Sequence, residues 1–199
     1  IGAMLQAPSI EKIDLHNIPD DKKLIRKALL LASQKADVII TSGGVSVGKA
    51  DFMKEVLSEI GKILFWKLAI KPGRPLAYGT INEAHYFGLP GNPVSAMVTF
   101  YQMVQPAIRL LMGEQGYTPP PKFKAKCTTT ITKKPGRMEF QRAILTHDQD
   151  NLAVTPTRSQ GSGILSSMSE ANCFIILEMQ HKTVEPGDLV DVQYMEGIV

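Results

Sequence analysis

The sequence predicts an α/β sheet domain followed by a small all-β barrel or sandwich. Three observations carry this reading. Through the first half, helical apolar periods alternate with short apolar runs bounded by turn residues, the pattern of a sheet that is at least partly parallel. At Gly116-Tyr117-Thr118-Pro119-Pro120-Pro121 the composition changes, and three prolines make a stiff extended spacer that no helix crosses. Beyond it no segment keeps a strong helical period, while short alternating runs recur between Gly and Pro turns. The expected domains are residues 1–115 and 122–199.

Taken in order, Ile1-Gly2-Ala3-Met4-Leu5 is apolar and helix-like without a cap, and reads as a fragment or as a start with upstream residues missing. Asp20-Asp21 then precede Leu24, Ile25, Ala28, Leu29 and Ala32, an amphipathic helix with acids at its positive end. Val38 to Thr41 is a short buried strand, broken by Ser42-Gly43-Gly44. Asp51 to Ile60 places Phe52, Val56 and Ile60 on one helical face. Ile63 to Ile70 reads as one strand, followed by a rigid loop, Lys71-Pro72-Gly73-Arg74-Pro75. Two strands, Leu76 to Thr80 and His85 to Leu89, flank a turn at Asn82, and a long helix runs from Pro93 to about Met112. In the second half Phe123 to Thr132, Phe140 to Leu145, Leu152 to Thr155, Cys173 to Met179 and Leu189 to Tyr194 read as strands.

Composition removes several classes of function. Cys127 and Cys173 form no CxxC, and His16, His85, His147 and His181 have no metal-ligand spacing, which argues against a zinc site and a disulfide scaffold. A reducing, cytoplasmic setting follows as the default. No run is long and apolar enough to span a bilayer. The net charge of +3 is spread out, so a small anionic ligand suits the chain better than a nucleic acid. No Ser-His-Asp or Cys-His arrangement is legible.

Three motifs point to an anion. Thr41-Ser42-Gly43-Gly44-Val45-Ser46-Val47-Gly48, ending at Asp51, lies after a strand and before a helix. Ligands of open α/β sheets bind at such carboxyl ends, and paired glycines turn backbone N–H groups into one concavity. Ser42 and Ser46 add hydroxyls; a tight turn with Asp51 as N-cap is an equal reading. Beside a phosphate, Asp51 needs a compensator: Mg²⁺ bridging to the phosphates, or the amino edge of a pterin. In the second motif two cations, Lys71 and Arg74, flank a turn frozen by Pro72 and Pro75, and together suit a tetrahedral oxyanion or phosphate, against a reading as a solvated basic turn. In Leu89-Pro90-Gly91-Asn92-Pro93-Val94-Ser95, Asn92 suits an N-cap and Ser95 the first turn, although ordinary helix initiation explains most of the motif. Further on, Arg137 in Gly136-Arg137-Met138-Glu139-Phe140-Gln141-Arg142 and Ser162 in Ser159-Gln160-Gly161-Ser162-Gly163 offer oxyanion donors from the second domain, against a reading as surface strand and serine loop.

These motifs, in this order and joined by Ile18-Pro19-Asp20-Asp21, resemble the family of bacterial MoeA and the E domain of gephyrin, and Gln160 to Met168 looks like that family's C-terminal barrel. The resemblance runs from about Asp14 to Tyr194. It implies a MogA-like three-layer sheet domain, truncated at its start, and a small all-β barrel. Family members carry two further domains upstream and a strand ending in Thr-Gly-Asp-Glu, and neither is in this sequence.

The activity implied is insertion of molybdenum from molybdate into adenylylated molybdopterin, with AMP released and a divalent cation such as Mg²⁺. By resemblance, Ser42, Gly43, Gly44, Ser46, Gly48, Pro90, Gly91 and Asn92 hold the pterin-phosphate end. Asp51, Asp20 and Asp21 are the catalytic acids, with Asp51 on the metal. Lys71, Pro72, Arg74, Ser95, Arg137 and Ser162 line the molybdate site. Homodimerisation of the full-length protein and contact with a MogA-type adenylyltransferase are implied as well. Two rival expectations are a gephyrin-like scaffold without enzymatic activity, which predicts affinity for a receptor peptide, and a MogA-type molybdopterin adenylyltransferase, which the C-terminal barrel opposes.

Overall fold

The structure, a computed structural model, describes residues 1–44, 52–114, 118–148 and 151–195. Contacts divide the chain into two units, one chiefly of Ile1–Leu68 with Gly73–Ile108, the other of Ala69–Pro72 with Arg109–Glu196. The expected ranges, 1–115 and 122–199, differ from this in where the first ends and in the four residues Ala69–Pro72, which lie in the middle of one range and group with the other.

In the first unit, one short 3₁₀ turn at Gly2–Leu5 precedes α1, Lys22–Ser33. Helix α1 begins where the Asp21 carboxylate accepts the Leu24 N–H at 2.9 Å, one of the donors a helix start leaves unpaired. Its apolar stripe buries Ile25 and Leu29. Strand β1 (Val38–Ser42), helix α2 (Phe52–Ile60) and strands β2 (Gly61–Lys67), β4 (Pro75–Ile81) and β5 (Ala84–Leu89) follow, with β3 (Ile70–Lys71) set apart. A helical run then passes from α3 (Pro93–Thr99) through a π-helical segment, Phe100–Val104, into α4 (Gln105–Leu111). The sheet order is β1-β5-β4-β2. Strands β1 and β5 are parallel, from Val38 opposite His85 to Ser42 opposite Leu89, and the other two pairings are antiparallel. The β4–β5 hairpin closes through Asn82 at φ 51°, a left-handed conformation that Asn tolerates better than most residues.

Strand alternation sends the sheet's apolar side chains to two faces. One packs Ile39, Ala77 and Tyr86 on Ile25 and Leu29 of α1 and Val56 and Leu57 of α2. The other packs Leu76, Phe87 and Leu89 on Ala96, Phe100, Val104 and Ile108. The result is the three-layer sheet domain that the sequence and the resemblance predict.

The second unit contains β6 (Phe123–Cys127), β7 (Met138–Asp148), β8 (Asn151–Pro156), a short helix α5 (Ser166–Glu170), β9 (Cys173–Leu177) and β10 (Leu189–Tyr194). The order β7-β8-β6-β10-β9 returns from β9 to β7 and closes a five-stranded barrel. Closure leaves no free edge within the ring. Alternate residues Ala143, Leu145, Cys173, Ile175, Leu177 and Val192 belong to its apolar core. Both cysteines are free and buried.

Two expectations need correction. Ile63 to Ile70 is not one strand. Strand β2 ends at Lys67, and Ile70–Lys71 pairs in parallel with Met138 and Glu139 of β7 in the other sheet. An apolar run signals burial but does not say against which sheet. The helix α5 was also unforeseen, because five residues are too few to show a period.

Candidate functional site

In the α/β unit the site-forming feature is the carboxyl edge of the β1–β5 pair. Past Ser42 the chain turns through Gly43 at φ 88° and Gly44 at φ 71°, where an L side chain is strained. Gly43 donates its N–H to the Leu89 carbonyl at 3.1 Å, and the Ser42 hydroxyl donates to the Pro90 carbonyl at 3.3 Å. A Cβ on Gly91 would meet Gly43 Cα at 3.7 Å, so the two loops lie against each other, backbone to backbone. Ser42, Gly43, Gly44, Pro90 and Gly91 are thus brought together. Asn92 and Pro93 begin α3 as expected, Asn92 extended at φ −65°, ψ 124° and Pro93 in the first turn. Ser95 is drawn into the core at 5% exposure, its carbonyl accepting the Thr99 hydroxyl at 2.8 Å. Arg74 is exposed, its carbonyl accepting the Leu68 N–H at 2.9 Å. Ser46, Gly48 and Asp51 lie outside the described residues. Asp21 is engaged as the cap of α1, and Asp20 is exposed beside it.

The second unit holds a different arrangement. Lys71 sits on β3 directly opposite Glu139 on β7. Its Nζ lies 3.3 Å from both carboxylate oxygens, and Gln141 Nε2 donates to Glu139 Oε2 at 3.0 Å. Lys71 is therefore an anchored cation. Pro72, joined to it by a cis peptide, is half-buried. Arg137 is exposed at the mouth of β7, after Gly136 at φ 111°.

Ser162 belongs to a loop held from below. Arg142, 1% exposed, donates from Nη2 to the carbonyls of Ser159 at 3.1 Å and Gly161 at 3.2 Å, and from Nε to the Ser167 hydroxyl at 3.1 Å. Gln160 accepts the Arg142 N–H at 3.1 Å and donates to its carbonyl at 2.8 Å. Burial lowers the Arg142 guanidinium from its ordinary value, since the charged form is the one desolvated.

Glu139, Gln141 and Gln160 were missed by sequence reasoning, and Arg142 was noted without a role. A signal existed for the first two. In strand period, Glu139 and Gln141 fall on the same face as the core residues Ala143 and Leu145, where a carboxylate requires a partner.

Chemically, the first arrangement is a rigid main-chain turn whose Gly43 N–H and Ser42 hydroxyl are held by the neighbouring loop, and the second holds one positioned ammonium. Among the described residues no group of three His, Cys, Asp or Glu side chains is placed to hold a metal ion, and no helix is long and apolar enough to cross a membrane. Burial pushes the Cys173 thiol up to about 12, so it is no nucleophile at neutral pH.

The chain thus joins a three-layer α/β domain, with a glycine turn at the end of its parallel pair, to a closed barrel whose sheet also carries the Lys71–Glu139 pair. Residues 1–110 match the family described as "Probable molybdopterin binding domain", and residues 124–195 match the MoeA C-terminal region (domain IV). The chain belongs to this MoeA and gephyrin family. It is 45% identical over 194 residues to a molybdopterin molybdenumtransferase of Haemophilus influenzae, covering 97% of this chain and 48% of the relative. It is 36% identical to gephyrin of Dictyostelium discoideum, covering 87% of this chain and 27% of the relative. The crystal structure of a molybdopterin biosynthesis MoeA protein from Pyrococcus horikoshii superposes with a TM-score of 0.72 at 28% identity, over 89% of this chain and 42% of that one. The chain spans about half the length of the first of these relatives, or less of the others.

Proposed function

We propose that the chain acts in molybdenum cofactor biosynthesis as the pterin- and molybdate-handling part of a molybdopterin molybdotransferase. One observation carries this: both family models match, in the family's order, across nearly all of the chain. The glycine turn supports the pterin-phosphate role of Ser42, Gly43, Gly44, Pro90, Gly91 and Asn92, and Ser46 and Gly48 belong to the same proposal. A turn already held rigid by the Gly43 and Ser42 hydrogen bonds loses little freedom when a ligand docks against it. Lys71, Pro72, Arg74, Ser95, Arg137 and Ser162 are proposed for molybdate, a substrate that asks for charge and hydroxyl donors. A water oxygen cleaves the phosphoanhydride of adenylylated molybdopterin, AMP leaves, and the two dithiol sulfurs replace two oxygens of molybdate, which depart as water with protons from the thiols and solvent while molybdenum keeps its oxidation state.

Asp51 is the proposed acid and Mg²⁺ ligand, with Asp20 and Asp21 as further acids. The cap that Asp21 supplies to α1 makes it the weakest of the three. Homodimerisation, a contact with a MogA-type adenylyltransferase and a cytoplasmic setting complete the proposal, the last in keeping with two free cysteines.

Binding and turnover test it together. Gly43→Ala, strained at positive φ with open space around its Cβ, is expected to weaken adenylylated molybdopterin about tenfold and leave molybdate unaffected. Lys71→Ala is expected to do the reverse. A purified chain that binds neither ligand, and releases no AMP when joined to the family's upstream part, would end the proposal.

A further inference from the structure

We propose that Glu139 is a positioning residue for Lys71, fixing the direction of its ammonium and trimming its charge where an oxyanion is received. This rests on Lys71 being a molybdate contact, as proposed above. The two side chains are register partners of the parallel β3–β7 pair. The Glu139 side chain is 6% exposed and the Lys71 side chain 47%, so the carboxylate lies inside and the ammonium at the surface. Both carboxylate oxygens lie 3.3 Å from Nζ, and Gln141 Nε2 holds Oε2 from the other side at 3.0 Å. A buried carboxylate requires such partners, since an uncompensated charge there is strongly unfavourable.

The same contacts constrain the lysine. Its four-carbon stem is flexible in water, and its ammonium has three donors. Glu139 engages the inner side of the ammonium, which leaves the outer side for an incoming oxygen. Because the pair is close to neutral as a unit, an anion is selected by hydrogen-bond direction more than by bare charge. An exposed lysine without this partner would attract anions of any shape and hold none in a fixed place.

Equilibrium dialysis of molybdate against the purified chain tests this with wild type, K71A, E139A, E139Q and the K71A/E139A double variant. The expected result is about tenfold weaker binding for E139A, with the double variant no weaker than K71A alone. E139Q keeps an acceptor for Nζ and a partner for Gln141, so it should bind within about threefold of wild type. Its affinity should fall more steeply with added salt, because Lys71 then carries an uncompensated charge. Additive effects in the double variant, or E139A binding like wild type while K71A is weak, would overturn the role of Glu139 and leave that of Lys71 standing. If thermal unfolding shows E139A to be unfolded, E139Q decides, and a salt dependence equal to wild type overturns the proposal. K71A binding molybdate as wild type does, or a wild type that binds none, removes the Lys71 assignment and this inference with it.

Discussion

The two units prepare for an anion by different means. In the α/β unit the candidate groups are mostly main chain: the Gly43-Gly44 turn packs on Pro90 and Gly91, and its geometry comes from φ angles of 88° and 71° and from strand register. In the barrel unit they are side chains, and each is set by another side chain behind it: Lys71 by Glu139 and Gln141, and the Ser162 loop by Arg142 and Gln160. Backbone sites are legible in sequence because glycine and proline announce them. Side-chain sites depend on pairings between distant strands, which local pattern does not carry.

Trp66, the one tryptophan, lies on β2 of the α/β unit, with Lys54 Nζ 5.6 Å from its ring centre. Both cysteines lie in the barrel core. Tryptophan fluorescence therefore follows one unit and thiol labelling the other.

The largest effect is expected from Gly79→Ala on β4. A Cβ there would collide with the Lys62 carbonyl oxygen and lie 2.7 Å from Ile63 Cα, backbone atoms of the neighbouring strand that cannot rotate away. A loss of more than about 4 kcal/mol is expected, seen as a lowered midpoint of Trp66 fluorescence in urea. An unchanged midpoint would break the claim that main-chain packing governs this unit. Arg142→Ala is next. It removes one donor from each of two carbonyls and from the Ser167 hydroxyl and leaves a void, a loss of about 3 kcal/mol. With its thiol pushed up to about 12, Cys173 should resist labelling at pH 8 until the barrel opens. Labelling of the variant at lower urea than wild type is the expected outcome, and equal protection would show that the loop does not depend on its arginine.

The smallest effect belongs to a surface network that neither kind of site uses. Lys22 Nζ lies 2.8 Å from Glu59 and 3.1 Å from Glu55. Hydrogen bonding to Lys22 lowers the Glu59 carboxyl, and hydrogen bonding to Glu59 and then Glu55 raises Lys22. The signs follow. A lowered carboxyl contributes stability above its unfolded range and loses it as pH falls. A raised lysine contributes at neutral pH and loses it as pH rises through the lysine range. Glu59→Gln should flatten both limbs slightly in low salt and change nothing in high salt, because the groups are exposed and screened. A large change would mean that the network supports α1 and α2 more than exposure allows.

Of the fold, the sequence by itself determined what repeats locally. Asp21 before a helical stripe determined α1, Val38 to Thr41 before paired glycines determined β1 and its turn, Asn92-Pro93 determined the start of α3, and three prolines marked a change of architecture. These signals are carried by steric and capping rules that act within a few residues. Only the tertiary structure decided that Ile70–Lys71 leaves the run it was read with and pairs with Met138 and Glu139, that β9 returns to β7 to close the barrel, and that Arg142 turns inward while Arg137 stays exposed. The physical reason is distance along the chain. A strand's partner is chosen by the global sum of buried area and ladder hydrogen bonds, and Lys71 and Glu139 are separated by 68 residues that no local period spans.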